Sequence, residues 1–201
     1  RLDLCGNYTA PGAVSVASGA TLGVTGTTSL ASSSGITNDG TLDISGTSAG
    51  TTAQTVSGSG NIALGNQTLT LSNAAGTISG VVDGSGGLSV TGGSETLTGA
   101  NTYTGATSVG SGATLTLSGA GSLASNAISI ASGGTFNDSN GGLSASANVT
   151  DNGTLTLGAS EAINQLDGSG AVGLGSHTLT LNQGSFSGVI GGTGGLVKAG
   201  A

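Results

Sequence analysis

The side chains that could act as catalytic bases or nucleophiles are few and scattered. His177 is the only histidine, and no Ser, Cys or carboxylate constellation can be tied to it from the sequence. Acid–base catalysis requires partners within hydrogen-bond reach, so we interpret His177 as a surface or turn residue. Cys5 is the only cysteine and has only Arg1 as a neighbouring cation, which disfavours a reactive thiol. An intrachain disulfide and a cysteine-based zinc cluster are excluded.

Six aspartates lie mostly in turn-like sequence, where Asp accepts hydrogen bonds from its own backbone: Asp39, Asp43, Asp83, Asp138, Asp151 and Asp167. Calcium binding is the alternative, because Asp83-Gly84-Ser85-Gly86 and Asp167-Gly168-Ser169-Gly170 partly copy a calcium-binding repeat whose full Gly-Gly-x-Gly-x-Asp form is missing. Sugar-cleaving β-helical enzymes need clustered carboxylates or basic residues, and the chain has two cations. The sequence therefore predicts no enzyme, no cofactor, and no catalytic, cofactor-binding or metal site.

Paired threonines and a few aromatic residues could form a binding surface. Four Thr-x-Thr pairs could align as flat rows like those of ice-binding solenoids: Thr68/Thr70, Thr114/Thr116, Thr154/Thr156 and Thr178/Thr180. Irregular coil lengths argue against such a regular face, and Thr is common on exposed strands in any case. The four aromatic residues are too few and too scattered for a sugar-stacking platform: Tyr8, Tyr103, Phe136 and Phe186.

The composition predicts a folded chain made of strands. It contains 42 Gly, one Pro and 35% hydrophobic residues among 201, with 5% charged and a net charge of −7. This hydrophobicity argues against disorder. Two cations cannot neutralise a phosphate backbone or an anionic lipid surface, so nucleic-acid binding and direct membrane contact are excluded. No apolar run approaches the roughly 20 residues of a membrane-spanning helix.

A short strand motif, Thr-Leu-x-aliphatic, recurs along the chain at Thr21, Thr41, Thr68, Thr114, Thr154 and Thr178. Most intervals are about 20 to 28 residues. The interval from Thr68 to Thr114 is interrupted by Thr96-Leu97-Thr98, and Ala127–Ile130 fills the double gap after Thr114 with the same alternation. Period-two alternation predicts strands with one buried face. Turn clusters such as Asn38-Asp39-Gly40 and Asp151-Asn152-Gly153 are expected to supply positive φ values.

These features predict an all-β fold, a right-handed parallel β-helix (β-solenoid) of about eight or nine coils of roughly 20 to 28 residues. Residues 1–201 form one continuous segment, with an internal super-repeat at 58–93 and 168–201. Because the chain lacks an initiator Met, we expect a segment truncated at both ends, with apolar coil ends exposed. The predicted core comprises Leu42, Ile44, Ile62, Leu64, Leu69, Leu71, Leu88, Val90, Leu115, Leu117, Ile128, Ile130, Leu155, Leu157, Leu179 and Leu181.

One stretch has a more specific resemblance. Leu97-Thr98-Gly99-Ala100-Asn101-Thr102-Tyr103-Thr104-Gly105-Ala106-Thr107, followed by Gly112-Ala113-Thr114-Leu115, resembles the autotransporter-associated β-strand repeat of type V secreted passenger regions. Gly194–Gly200 looks like the opening of another copy, and Gly6-Asn7-Tyr8-Thr9 like a degenerate one. The family's usual Lys-containing stretch is replaced after Leu88 by Val90–Glu95.

The resemblance implies an extracellular or bacterial cell-surface segment, exported through a C-terminal translocator barrel outside this sequence. We therefore expect a structural stalk that supports adhesion or fibre formation. The alternative is a direct adhesin, a self-associating or glycan-binding module, with copies of itself or host and cell-surface glycans and proteins as partners. Ice binding and a polysaccharide-active enzyme are remote alternatives.

Overall fold

The computed structural model describes residues 1–6, 8–9 and 11–200 and shows a parallel β-solenoid of about ten coils. The predicted fold class is confirmed, and the described residues contain no helix. Coils average about 20 residues, at the short end of the predicted range. Asn148 lies 17 residues before its register partner Gln165, and Val14 lies 22 before Ile36. Coil length therefore varies along the stack.

The chain forms 26 short strands. In order they are β1 (Leu2–Leu4), β2 (Val14–Val16), β3 (Thr21–Gly26), β4 (Ile36–Asn38), β5 (Thr41–Thr47), β6 (Thr51–Ala53), β7 (Val56–Ser57), β8 (Asn61–Ala63), β9 (Leu69–Leu71), β10 (Ala74–Ile78), β11 (Val82–Asp83), β12 (Leu88–Val90), β13 (Gly93–Leu97), β14 (Ala100–Asn101), β15 (Thr107–Val109), β16 (Ala113–Leu117), β17 (Ser122–Leu123), β18 (Ala127–Ile130), β19 (Thr135–Asp138), β20 (Asn148–Asp151), β21 (Thr154–Leu157), β22 (Glu161–Gly168), β23 (Ala171–Gly173), β24 (Leu179–Gln183), β25 (Val189–Gly191) and β26 (Leu196–Lys198).

Strands of successive coils pair in parallel and build three larger sheets. The five-stranded sheet runs β1-β3-β5-β8-β11, the seven-stranded sheet β10-β13-β16-β19-β21-β23-β25, and the nine-stranded sheet β6-β9-β12-β15-β18-β20-β22-β24-β26. Two small sheets, β2-β4-β7 and β14-β17, complete the wall. Each coil is thus hydrogen-bonded to the coils before and after it, and its inward side chains are covered only by them.

The predicted core is confirmed, because fifteen of the sixteen predicted residues are buried. Leu181 is only partly buried and packs against the edge of the core. Tyr103 and Phe136 are also fully buried, so they fill the interior rather than a surface. The core runs through the stack as one connected cluster.

Copies of the recurring motif do not stack in one column. Those at Thr21 and Thr41 lie in the five-stranded sheet, those at Thr114 and Thr154 in the seven-stranded sheet, and those at Thr68 and Thr178 in or beside the nine-stranded sheet. Ala127–Ile130 is a strand with the predicted alternation, β18, but it lies in the nine-stranded sheet, and β19 lies between the motif copies at Thr114 and Thr154 in the seven-stranded sheet.

The predicted positive φ values at the two turn clusters are wrong. Among the described residues only glycines have positive φ, and neither Gly40 nor Gly153 is one of them. Glycine is required there because of crowding. A Cβ on Gly40 would lie 2.3 Å from the Ala20 carbonyl oxygen, and one on Gly153 would lie 2.4 Å from that of Ala131.

The same crowding predicts the effect of adding one methyl group at Gly80. A Cβ there would lie 2.1 Å from the Gly60 carbonyl oxygen, so Gly80→Ala should destabilise the solenoid by about 1–3 kcal/mol through overpacking. Gly191→Ala is the matched control, because no atom lies within 4 Å of its Cβ position. The free energy of unfolding of both variants is measured by chemical denaturation followed by circular dichroism. Equal stability of the two would contradict the crowding argument.

Both ends of the stack expose apolar side chains, as predicted. Leu2 at one end and Val189, Leu196 and Val197 at the other are exposed. No helix in the part of the chain that the structure describes is long and apolar enough to cross a membrane.

Candidate functional site

The most regular surface of the molecule is a two-column array of polar side chains on the seven-stranded sheet, here called the polar array. One column is Ser94, Thr114, Thr135 and Thr154, and the other is Thr96, Thr116, Asn137 and Thr156. All eight occupy outward positions of β13, β16, β19 and β21, because the residues between them are buried. Neighbours lie about 4.8 Å apart between coils and about 6.6 Å apart along a strand.

The chemistry of the polar array is hydrogen bonding without charge. Seven members carry a hydroxyl group and one carries an amide, so each can donate and accept. The only internal contact recorded among them is long, at 3.4 Å from Asn137 Nδ2 to Thr116 Oγ1. Most of their hydrogen-bonding capacity therefore faces outward. The array suits a ligand that is itself polar and repetitive.

A second, single row of hydroxyl groups runs along the nine-stranded sheet. Its members are Thr52, Thr70, Ser89, Ser108, Ser129 and Thr150. Ser108 Oγ donates to Ser89 Oγ at 2.9 Å, so this row satisfies part of its own hydrogen bonding. It presents less free capacity than the polar array.

The four predicted Thr-x-Thr pairs do not form one face. Thr114/Thr116 and Thr154/Thr156 belong to the polar array, whereas Thr70 and Thr180 lie in the nine-stranded sheet. Sequence reasoning missed Ser94/Thr96 and Thr135/Asn137, which complete the array. These residues occupy outward positions in strands with the same alternation, but their residue types differ from Thr-Leu-Thr-Leu. The alternation is therefore the sequence signal that could have identified them.

Buried carboxyl groups form the second unusual feature, and sequence reasoning missed Glu95 and Glu161 altogether. Glu95 points into the core from β13, between Gly76 and Leu115 of the adjacent coils. Neither of its carboxyl oxygens has a hydrogen-bond partner among the described residues. Burial raises the pKa of Glu95 to about 8, so the side chain is mainly protonated at neutral pH. Glu95 lies two residues before Leu97 on the same strand, and this spacing is the sequence signal that could have identified it as an inward-facing residue.

A pair of carboxyl groups lies further along the stack. Asp138, at the end of β19, and Glu161, at the start of β22, are 1% and 9% exposed. Burial, together with a hydrogen bond to Asp138, raises the pKa of Glu161 to about 7. Asp151 is fully buried as well, and burial raises the pKa of its carboxyl group. Among the described residues the ion pairs join Arg1 to Asp3 and Asp43, so none of these four acids has a basic partner there.

The turn interpretation of the aspartates is confirmed in part. Asp43, Asp138 and Asp151 accept hydrogen bonds from backbone N–H groups of their own turns. Asp39 and Asp167 instead accept from the next coil, at the N–H groups of Ser59 and Ser185. The backbone N–H of Ser59 lowers the pKa of Asp39. Asp side chains therefore tie coils together as well as closing turns.

The remaining sequence candidates lie apart from these features. His177 lies half-buried in the turn between β23 and β24, as predicted, and Cys5 is exposed. In the described residues no group of three or more His, Cys, Asp or Glu side chains could hold a metal ion. Tyr8 and Phe186 pack against the core, and Asn7, from the degenerate repeat copy, lies outside the described residues.

Comparisons of the chain with protein-family models, with curated proteins and with solved structures found no match.

Proposed function

We propose that this solenoid is a structural stalk, a passenger segment of a secreted or surface-anchored bacterial protein that supports adhesion or fibre formation. The observation that carries the proposal is the continuous parallel stack, in which about ten coils share one core. Such a stack is quasi-one-dimensional, so its length scales with coil number. At about 4.8 Å per coil, ten coils span about 48 Å.

The resemblance of residues 97–107 to the autotransporter-associated repeat supports the extracellular assignment. This stretch makes about half of one coil, from the end of β13 through β14 to the start of β15, and in it Tyr103 is buried and its hydroxyl group contacts Thr107 Oγ1 at 2.7 Å. The aromatic residue thus acts as a structural element of the coil. A stalk needs such interior packing and no reactive group.

The polar array favours a second function, that of a binding module for glycans or for copies of the chain. Four consecutive coils present the array in unbroken register. Flat, uncharged hydroxyl rows can bind a repetitive polar surface through many weak contacts. In this case the coils themselves would bind the ligand, rather than support a function located elsewhere in the protein.

Removing three coils tests the stalk function. Ala74, Gly93 and Ala113 occupy the same position in successive coils, so deletion of residues 74–133 should bring Gly134 to the place of Ala74. We expect a folded β-rich rod that is shorter by about 14 Å, at about 4.8 Å per coil, measured by small-angle X-ray scattering. A collapsed or unchanged length would contradict the additive stack.

Binding assays separate the two functions. The intact chain and a Thr114→Lys/Thr116→Lys variant, which keeps the length but places charges in the polar array, are compared for binding to cells, glycans and the chain itself. A stalk gives no saturable binding in either case. Saturable binding that the variant loses would replace the stalk with the binding module.

A further inference from the structure

Two buried carboxyl groups help to attach the segment 139–147, which links β19 to β20, to the solenoid, and Leu123 N also donates to Gly142 O at 2.8 Å. Three successive backbone N–H groups donate to the two carboxyl groups. Gly141 N and Gly142 N lie 3.0 and 2.9 Å from Asp138 Oδ1, and Leu143 N lies 3.1 Å from Glu161 Oε2. The two acids come from different coils, so the segment bridges them.

The hydrogen bonding of the pair is complete only if a proton lies between them. Asp138 Oδ2 is buried and has no donor among the described residues. The carboxyl groups of Asp138 and Glu161 lie next to each other, because they accept hydrogen bonds from the successive N–H groups of Gly142 and Leu143. Two ionised carboxylates can only accept hydrogen bonds, whereas a protonated one donates. A proton on Glu161 therefore supplies the missing donor to Asp138 Oδ2.

The surroundings offer no other charge to compensate the pair. Its register neighbours are Leu117 and Leu157 beside Asp138 and Leu179 beside Glu161. The described elements that pack against the pair carry three further titratable groups, Asp151 on β20, Asp167 on β22 and His177 before β24. Asp151 pairs with Gly168 at the far end of β22, and Asp167 binds Ser185 N. In the described part of the chain His177 makes no ion pair with Asp138 or Glu161, since the ion pairs join Arg1 to Asp3 and Asp43.

We propose that Asp138 and Glu161 hold one proton between them and form a latch, which fastens segment 139–147 to the solenoid and releases it when the proton leaves to solvent. Loss of the proton leaves two adjacent buried anions and removes the hydrogen bond between them. Opening of the segment lets water reach both groups. The latch is independent of the stalk function, since it concerns one short segment between two strands.

Hydrogen exchange of the amides of Gly141, Gly142 and Leu143 in the intact chain tests the latch. Rates are measured by NMR from pH 5 to pH 9 with EDTA present and are corrected for intrinsic exchange. Opening that releases one proton predicts protection that falls about tenfold per pH unit between the ordinary glutamate pKa of 4.5 and the raised pKa of Glu161, and that is constant above it. The decline should therefore end near pH 7, because burial and Asp138 raise the pKa of Glu161 to about 7.

Glu161→Gln is the decisive variant, because its amide side chain has no proton to release between pH 5 and pH 9. Its protection should not vary with pH. Glu95→Gln, which removes a buried acid in another coil, should retain the wild-type pH dependence at 141–143. Wild-type protection that is flat from pH 5 to pH 9, or unchanged pH dependence in Glu161→Gln, would overturn the latch.

A second measurement needs no variant. The carboxyl carbons of Asp138 and Glu161 are followed by ¹³C NMR during a pH titration of the wild-type chain. A shared proton predicts that both signals shift together at a common midpoint near neutral pH. Separate midpoints in the acidic range would show two independent carboxylates and would also overturn the proposal.

Discussion

Replacing Glu95 by Leu should make the solenoid more stable above pH 5, and the gain should grow as the pH rises. Glu95 is fully buried between Gly76 and Leu115 and has no hydrogen-bond partner in the described structure. Leu has a similar volume and requires neither a proton nor a partner. The substitution extends the apolar column that contains Leu115.

The direction of this pH dependence follows from the pKa of Glu95 in the folded and the unfolded state. Burial raises the pKa of Glu95 from 4.5 to about 8 in the folded protein. Below pH 4.5 Glu95 is protonated in both the folded and the unfolded state, so its ionisation does not change the free energy of unfolding. Between pH 4.5 and about 8 the unfolded chain releases the proton while the folded chain keeps it, so stability falls with rising pH. The total loss is on the order of 5 kcal/mol, at about 1.4 kcal/mol per pH unit.

Chemical denaturation of wild-type and Glu95→Leu proteins from pH 4 to pH 9 measures this difference. Asp151 and Glu161 also have raised pKa values, so the difference between the two proteins, rather than the wild-type curve, isolates Glu95. Glu95→Gln is the matched control, since it removes ionisation and leaves a polar side chain buried. The stability difference between Glu95→Gln and Glu95→Leu should not depend on pH, and Glu95→Gln should be less stable than Glu95→Leu at pH 4. A wild-type to Leu difference that is constant with pH would show that Glu95 is hydrated or ionised in the folded state.

Truncating Phe136 to Ala should cause the largest loss of stability from a single core substitution. Phe136 is fully buried and lies in register between Leu115 and Leu155. Removing its ring should cost about 3–5 kcal/mol, from lost burial and from the cavity that remains. Because each coil is covered only by its neighbours, the cavity weakens the coupling between both halves of the stack.

Phe186→Ala is the control for this loss. Phe186 is only partly buried against the edge of the core, so its removal should cost clearly less. Denaturant unfolding monitored by circular dichroism compares the two, and hydrogen exchange shows whether the coils on each side of position 136 open separately. If both variants lose the same stability, the interior at Phe136 is less tightly packed than the structure shows.

The candidate features differ in how well sequence alone could find them. Thr114, Thr116, Thr154 and Thr156 were identified as outward strand residues, and the polar array contains them. Asn137 and Ser94 were missed because an outward position tolerates many polar residues, so its letters carry little signal. Glu95 was missed because a lone acid within an alternating strand looks like a surface residue until its face is known.

The sequence by itself determined the strands, the turns and the inward residues. Period-two alternation decides which side chains of a strand share a face, and repeated turn clusters decide roughly where each coil bends. These are local properties, so the all-β solenoid and fifteen of the sixteen predicted core residues are confirmed.

Only the tertiary structure decided which sheet each strand joins. Register partners are 17 residues apart at Asn148 and Gln165 but 22 apart at Val14 and Ile36, and such differences add up along the chain. The two copies of the super-repeat show the result. Their matching strands β8 and β23 lie in the five-stranded and the seven-stranded sheet. The meeting of Asp138 with Glu161 likewise depends on coil stacking, because side chains from different coils come together only when the register between coils is set.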